Sequence, residues 1–179
     1  MQKASRLLQD HLTSLTEPDH SLPVLDLACG TGRNGLFLAA QGIPVVFADK
    51  SASALQTVEQ QLAGSGLCGR TWQLNLEVPV TDPFCNESFS AIIGFRYLHR
   101  PLFPALRNAI QAGGLIIYET FTIDNRQFGR PNNPDFLLQT GELKSIFSDW
   151  EIISDFEGVL QNPERAVAQI VARKPPAGQ

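Results

Sequence analysis

A glycine-rich turn between two carboxylates is the part of this 179-residue sequence with the clearest chemical meaning. The letters DLACGTGRNG begin at Asp26, and Gly30 and Gly32 let the backbone approach a bound molecule because no Cβ stands in the way. A helix is expected to follow at once, so that its N-terminal amides point at the same place. A second carboxylate, Asp49, ends the next apolar run, where it can accept hydrogen bonds from both hydroxyls of a ribose. We therefore predict a site for a cofactor that contains a nucleoside.

Two cofactors fit such a turn, because Gly30, Gly32 and Gly35 also match the Gly-x-Gly-x-x-Gly fingerprint of dinucleotide-binding proteins. Asp26 favours S-adenosylmethionine, since its carboxylate can bind an amino group but would repel a pyrophosphate. A dehydrogenase also needs a substrate domain, for which little chain remains. The alternatives are an NAD-dependent oxidoreductase and a non-catalytic partner protein that binds the cofactor without turnover.

Alternating strands and helices must position this turn. Apolar runs predict strands at residues 22–27, 44–48, 71–74, 90–95, 115–120, 150–156 and 166–172, and helices at residues 2–15, 33–41, 52–62, 101–111 and 141–147. Such alternation is typical of a parallel sheet covered on both faces. The last two strands, joined by a turn at Asn162 and Pro163, predict an antiparallel hairpin at the sheet edge. The predicted fold class is α/β, a Rossmann-like, doubly wound, mostly parallel seven-stranded sheet with helices on both faces.

The chain is predicted to form one domain with four segments. These are an N-terminal helix and linker over 1–20, a cofactor-binding core over 22–120, an acceptor-site loop over 121–138, and a C-terminal helix and β-hairpin over 139–174. Long loops over a site often close on a substrate, so the loop is read either as a lid or as a static connection. The apolar side of the N-terminal helix is expected to dock across the cofactor.

The letters LDLACGTGRNGLFLAAQGIPVVFADKSASAL resemble motif I and its continuation in class I S-adenosylmethionine-dependent methyltransferases. The letters GRN from Gly32, the segment GELKSIFSDWEIISDFEG and the ending AQIVARK resemble the tellurite-resistance branch of that class. The resemblance covers residues 22–174 and implies methyl transfer from S-adenosylmethionine, with S-adenosylhomocysteine as the product. The chain differs from the branch in its short final turn, which carries Arg165 alone.

The resemblance also assigns the cofactor-binding residues. By position they are Asp26, Ala28, Gly30, Thr31, Gly32, Asn34, Asp49, Lys50, Ser51, Asn75, Leu76 and Phe95. Asp49 would hold the ribose hydroxyls, and Lys50 and Ser51 would flank the adenine. Asn75 stands where such families usually have an acid that contacts the adenine amino group, and an amide oxygen can accept the same hydrogen bond.

Positive charge collects where the acceptor should meet the methyl group, near the ends of the fourth and fifth strands. Residues 94–132 hold five arginines against two acids, within a chain of net charge -4. Guanidinium groups bind carboxylates and other oxyanions, so we predict a small anionic acceptor, either a tellurite- or selenite-like oxyanion or a small carboxylate. The predicted substrate-binding residues are Arg96, Tyr97, Arg100, Arg126 and Arg130, and the predicted catalytic residues are Arg96, His99 and Glu119.

The roles of His99 and Arg96 each have an alternative interpretation. His99 is a candidate general base because an unperturbed histidine titrates near neutral pH, but a histidine at a helix start is more often a cap or a surface residue. Arg96 either contacts the acceptor or forms a structural ion pair with Glu119. Methyl transfer itself needs alignment more than acid–base chemistry, because the cofactor carries the reactivity.

Composition limits the partners. The net charge of -4 and the lack of a long basic run argue against a nucleic-acid partner. No apolar stretch approaches the roughly 20 residues of a membrane helix, and three widely spaced cysteines predict no metal site and a reducing, cytoplasmic location. The expected partner is a small-molecule acceptor, and monomer and homodimer both stay open.

Overall fold

The computed structural model describes residues 3–16, 22–79 and 82–178, so residues 17–20 of the predicted linker lie outside the described residues. The strands are β1 Val24–Leu27, β2 Val45–Asp49, β3 Gly69–Gln73, β4 Phe89–Phe95, β5 Ile110–Phe121, β6 Glu151–Leu160 and β7 Arg165–Arg173. The helices are α1 Arg6–Asp10, α2 Leu12–Thr16, α3 Arg33–Ala39, α4 Ala52–Ser65, α5 Phe103–Ala109 and α6 Glu142–Ile146. No helix of the described residues is both long and apolar enough to cross a bilayer.

All seven strands form one sheet, in the order β3-β2-β1-β4-β5-β7-β6. The first five strands run parallel to one another, whereas β7 is antiparallel to both β5 and β6. The predicted fold class is therefore confirmed, with the hairpin of β6 and β7 at one edge. The chain reverses its direction of growth between β1 and β4, and ligands of open α/β sheets bind outside the carboxyl ends of strands at such a point.

Two apolar clusters, one on each face of the sheet, hold the helices in place. Leu106 of α5 and Phe147 after α6 belong to the first cluster, and Leu8, Leu36 and Val58 of α1, α3 and α4 belong to the second. Every residue of β1 is buried, as expected for a strand covered on both faces. The carboxyl ends of β1, β2 and β4 are thereby fixed relative to one another.

The bounds predicted for the helix over 101–111 and the strand over 115–120 need correction. β5 already begins at Ile110 and runs through Gly113 and Gly114, and its register against β4 shifts at this place. A Cβ on Gly114 would lie 2.6 Å from the carbonyl oxygen of Ser90, so the close approach of the two strands requires glycine. An isolated glycine pair in a strand commonly marks such an irregularity.

The predicted N-terminal helix is divided into α1 and α2 at His11. Its apolar side packs on the sheet, with Leu7, Leu8 and Leu15 buried, and the expected docking of this side across the cofactor stays a prediction. Two hydrogen bonds join the segment before α1 to the start of α3. The Ser5 N–H donates to Asn34 Oδ1 at 2.9 Å, and Arg33 Nη1 donates to the Lys3 carbonyl at 3.3 Å. The N-terminal segment therefore lies beside the glycine turn.

The loop over 121–138 has internal structure and a firm anchor. It contains short 3₁₀ turns at Ile123–Gln127 and Pro134–Phe136 and ends in buried Leu137 and Leu138. Arg100, predicted to bind the acceptor, instead holds this end of the loop. Its Nε and Nη2 donate to the Glu142 carboxylate at 2.6 and 2.8 Å, and its Nη1 and Nη2 donate to the carbonyls of Asp135 and Leu137 at 3.0 and 2.8 Å. This geometry favours a static connection.

We predict that Arg100→Ala lowers the free energy of unfolding by roughly 1–3 kcal/mol, because it removes charge-assisted hydrogen bonds and leaves two carbonyls without their donor. Chemical denaturation of the variant against Arg126→Ala, whose side chain is exposed on the same loop, measures the difference. The Arg100 guanidinium lowers the pKa of Glu142, so this stabilisation is present above the ordinary pKa of a glutamate and is lost as the pH falls through the lowered one. Equal stability of both variants at neutral pH would contradict the anchor.

Candidate active site

The glycine turn after β1 owes its shape to left-handed backbone at three positions. Ala28, Gly30 and Gly32 have φ values of 50°, 56° and 78°. A Cβ on Gly32 would lie 2.8 Å from Cγ2 of Val58, whereas a Cβ on Gly30 would meet nothing within 4 Å. Gly32 is thus needed for packing at the start of α3, and Gly30 leaves open space beside the turn.

Two carboxylates hold the turn in place by accepting hydrogen bonds from its backbone N–H groups. Asp26 is 3% exposed, and its Oδ2 accepts a hydrogen bond from the Gly35 N–H at 2.8 Å. Asp49 Oδ2 accepts from the Gly30 N–H and its Oδ1 from the Ser51 N–H, both at 2.8 Å. A carboxylate has about four lone-pair sites, so Asp49 keeps acceptor capacity for the hydroxyls of a ribose.

Burial changes the chemistry of Asp26. Desolvation raises the pKa of Asp26 to about 7, although the hydrogen bond from Gly35 and the nearby Arg33 guanidinium act in the opposite direction. The carboxyl group is therefore only partly ionised at neutral pH. An ammonium group bound beside Asp26 would favour the ionised form of the carboxyl group. The amino group of S-adenosylmethionine would act in this way.

A cavity of about 160 Å³ opens beside Asp49 at the carboxyl edge of the sheet. It is lined by Ala28, Asp49, Lys50, Leu74, Asn75, Leu76, Glu77 and Tyr97. Five of these residues belong to the predicted cofactor-binding set. Leu74 and Leu76 supply apolar walls that suit a flat ring, and Asp49 supplies a carboxylate that suits a ribose. The residues at this place fit the adenosine part of the predicted cofactor.

Several predicted cofactor contacts are already used within the chain. Asn75 Oδ1 accepts from the Glu77 N–H at 3.1 Å, and Lys50 forms an ion pair with Glu77 at 3.0 Å. Ser51 Oγ accepts from the Ala54 N–H at 3.2 Å and caps α4, as its position before that helix indicates. Glu77, which the sequence analysis did not select, joins these groups at the rim of the cavity.

Thr31, Asn34 and Phe95 were also predicted to bind the cofactor. They lie near the glycine turn but do not line the cavity beside Asp49. Thr31 is exposed, and Phe95 is half-buried against the second apolar cluster. Asn34 is 6% exposed, and its side-chain oxygen receives the Ser5 N–H. This oxygen anchors the N-terminal segment, whereas the NH2 group of the same side chain is still a donor, so the role of Asn34 at the cofactor stays a prediction.

A second cavity, of about 320 Å³, adjoins the first and is called the acceptor cleft below. It is lined by Glu77, Arg96, Tyr97, Leu98, Phe121, Pro131 and Phe136. Glu77 and Tyr97 line both cavities. The Tyr97 hydroxyl is buried and has no hydrogen-bond partner among the described residues. Burial, with Glu77 and Asp49 adding to it, raises the pKa of Tyr97 to about 12, so its phenol stays a neutral donor between the two cavities.

Arg96 and Glu119 touch through the backbone, in contrast to the ion pair left open above. The Arg96 N–H donates to the Glu119 carbonyl at 2.8 Å, and φ of Arg96 is 59°. The Glu119 carboxylate is 5% exposed and accepts from Gln169 Nε2 at 2.6 Å. No side-chain salt bridge joins Arg96 and Glu119 in the residues that the structure describes. The exposed Arg96 guanidinium is thus left to the acceptor cleft.

Two further arginines add positive charge at this edge. Burial lowers the pKa of Arg33, and the charges of Arg96 and Arg165 lower it further, while Glu119 and Asp26 raise it. The Arg165 Nε is buried and has no hydrogen-bond partner among the described residues. Sequence reasoning did not select Arg33 or Arg165, because only the fold brings the starts of α3 and β7 to the end of β4.

The remaining predicted acceptor residues are dispersed. His99 lines a third cavity, which shares Leu76 and Glu77 with the cavity beside Asp49 and Glu77 with the acceptor cleft, and His99 does not line the acceptor cleft itself. Arg126 and Arg130 are exposed, and Pro131 rather than Arg130 reaches the cleft. The roles of His99, Arg126 and Arg130 stay predictions. No cluster of three or more potential ligands for a metal ion occurs in the described residues.

The sheet order, the glycine turn and the carboxylate at the end of β2 match the fold of class I S-adenosylmethionine-dependent methyltransferases. A family model described as "Tellurite resistance protein TehB" matches residues 17–164 of the chain. The chain therefore belongs to the TehB family, which confirms the predicted class, the branch and S-adenosylmethionine as the cofactor of the class.

Individual relatives agree with this assignment. An uncharacterized methyltransferase, YodH of Bacillus subtilis, is 34% identical over 76 residues, which are 42% of this chain and 31% of the relative. The crystal structure of TehB from Haemophilus influenzae has a TM-score of 0.73 at 21% identity and covers 94% of this chain and 61% of its own. A methyltransferase structure from Methanosarcina mazei has a TM-score of 0.71 at 14% identity and covers 98% of this chain and 100% of its own. The chain spans less than half the length of the curated relatives that it matches.

The raised pKa of Asp26 predicts a pH dependence of cofactor binding. Because the ionised carboxylate is the form that binds an ammonium group, affinity for S-adenosylhomocysteine should rise about tenfold between pH 6 and pH 8 and level off above. In Asp26→Asn, whose amide oxygen can still accept from Gly35, the affinity should be weaker and nearly constant over this range. Isothermal titration at several pH values measures both profiles, and parallel profiles would show that Asp26 does not bind the amino group.

Proposed function

We propose that this protein transfers the methyl group of S-adenosylmethionine to a small anionic molecule bound in the acceptor cleft. The observation that carries the proposal is the exposed Arg96 guanidinium in a cleft that shares Glu77 and Tyr97 with the cavity beside Asp49. A cation at that place favours a negatively charged acceptor next to the cofactor. Membership of the TehB family supports the reaction class.

The chain's own residues divide the work of holding the cofactor. Asp49 would accept hydrogen bonds from ribose hydroxyls, Leu74 and Leu76 would contact the adenine, and Asp26 would hold the amino group. When bound, S-adenosylmethionine supplies a methyl group on a sulfonium, which a nucleophile displaces in line. The protein therefore has to align the acceptor and does not have to create reactivity.

Electrostatics at the cleft supports an anion over a cation or a neutral amine. Arg33, Arg96 and Arg165 lie at the same edge of the sheet, and the buried Glu119 neutralises part of their charge. Guanidinium groups hold carboxylates and other oxyanions through paired N–H groups. An anion that binds here also meets the positive sulfonium, so the attack converts two opposite charges into two neutral products.

An ionised nucleophile removes the need for a general base. This agrees with the position of His99, which lines a neighbouring cavity and not the acceptor cleft. Glu119 then acts through Gln169, whose Nε2 donates to it at 2.6 Å, and keeps the end of β5 in place beside β7. We propose that Glu119 is a positioning residue, with Arg96 as the residue that touches the acceptor.

Arg96→Gln tests the proposal through the formation of S-adenosylhomocysteine from S-adenosylmethionine, with selenite and a panel of small carboxylates and thiolates as acceptors. Loss of charge-assisted hydrogen bonds should raise the KM for the anionic acceptor by about tenfold to a hundredfold and change the KM for S-adenosylmethionine much less. Arg70→Gln is the matched control. Arg70 lies on β3, forms a surface ion pair with Glu87 and does not line the acceptor cleft.

Three results would count against the proposal. One is an unchanged KM in Arg96→Gln, and another is methylation of neutral analogues as fast as that of the anions. A protein that binds S-adenosylhomocysteine but methylates nothing in the panel would favour the non-catalytic partner protein.

A further inference from the structure

We infer that the acceptor is an organic anion with an apolar body of about one ring, and that a bare inorganic oxyanion is not the molecule this cleft fits. The inference rests on the proposed function and narrows its substrate class. It comes from the walls of the acceptor cleft and from the way one aromatic side chain is held at its entrance.

The walls of the cleft are mainly apolar. Five of the seven lining residues present rings or aliphatic carbon, namely Tyr97, Leu98, Phe121, Pro131 and Phe136. The charged lining residues are Arg96 and Glu77, and Glu77 is paired with Lys50. The volume of about 320 Å³ lies at the lower end of the range for small-molecule sites. The cleft thus offers one free cation surrounded by apolar surface, within the described residues.

Phe136 is the most informative of these residues, because 50% of it is exposed although it is large and apolar. Hydrogen bonds to the backbone on both sides of Phe136 hold its ring in this exposed position. Arg100 donates to the carbonyls of Asp135 and Leu137, the residues on both sides of Phe136, and the Phe136 N–H donates to the Asn133 carbonyl at 3.0 Å. The ring is therefore held at the cleft, where an apolar molecule can cover it and release the water on its surface.

A bare oxyanion gains little from such walls. Small oxyanions are strongly hydrated, and apolar side chains cannot replace the hydrogen bonds that are lost when water is removed. An organic anion places its charged group at Arg96 and buries its body against Phe121 and Phe136. Phe121 ends β5 and Arg96 follows the neighbouring β4, so the head group and the first apolar wall lie together at the strand ends.

The reaction on such an acceptor balances without another reagent. An ionised oxygen or sulfur of the acceptor forms a bond to the methyl carbon, and the bond between that carbon and the sulfonium sulfur breaks. The electron pair of the broken bond stays on sulfur, which gives S-adenosylhomocysteine. Since the nucleophile is already ionised, no proton is transferred and nothing is oxidised or reduced.

The test compares four probes by isothermal titration into the protein saturated with S-adenosylhomocysteine. The probes are benzoate, acetate, selenite and the neutral benzamide. Benzoate should bind at least about tenfold more tightly than acetate and selenite, because only its ring covers Phe136. Benzamide should bind more weakly than benzoate, because it lacks the charge that Arg96 recognises.

Substitution of Phe136 separates the apolar wall from the charge. Phe136→Ser should weaken benzoate binding about fivefold to tenfold and leave acetate binding unchanged, and Phe136→Leu should restore most of the benzoate affinity. Phe156→Ser is the matched control, because Phe156 is 39% exposed on β6 and does not line the cleft. This control should change neither affinity.

The outcomes separate the inference from the function on which it rests. Two results would overturn the inference that the acceptor has an apolar body, while the proposal of an anionic acceptor would stand. One is acetate or selenite binding as tightly as benzoate, and the other is an unchanged benzoate affinity in Phe136→Ser. Benzamide binding as tightly as benzoate would overturn the anionic acceptor of the proposed function. A protein that does not bind S-adenosylhomocysteine at all would contradict both.

Discussion

The whole site depends on a glycine turn that is held open between two aspartates on neighbouring strands. Asp26 receives the Gly35 N–H from one side, and Asp49 receives the Gly30 N–H from the other. Backbone amides that donate to carboxylates keep their positions without a ligand, so the turn is organised before a cofactor arrives. The same two carboxylates retain lone pairs for the ribose and the amino group. Binding then requires little rearrangement of the chain.

The acceptor side of the site follows from how the sheet continues past that turn. β4 and β5 end next to β1, which brings Arg96 and Phe121 to the edge where the cofactor cavity opens. The Arg100 anchor fixes the end of the loop, and Phe136 with it, above this edge. Charge and apolar surface in the acceptor cleft therefore come from separate elements, and each can be removed without disturbing the other.

Sequence reasoning predicted the features that local rules determine. The seven strands and the glycine turn follow from apolar runs and the spacing of glycines, and the structure has them. It did not predict the partners of long-range side chains. Arg100 stands in a run of arginines whose nearest acids in sequence are distant, and only the fold brings Glu142 to it. Likewise, nothing near Phe136 in sequence indicates that its ring lines a cleft with Arg96.

Titration of S-adenosylhomocysteine into the wild-type protein and Asp49→Asn, with NADH as a comparison, tests the central claim most directly. The account predicts micromolar binding to the wild type, no binding of NADH, and about tenfold to a hundredfold weaker binding to the variant. The variant loses a negatively charged acceptor of ribose hydroxyls, and its NH2 group cannot accept from the Gly30 or Ser51 N–H. A folded wild-type protein that binds NADH and not S-adenosylhomocysteine, or a variant with unchanged affinity, would contradict it.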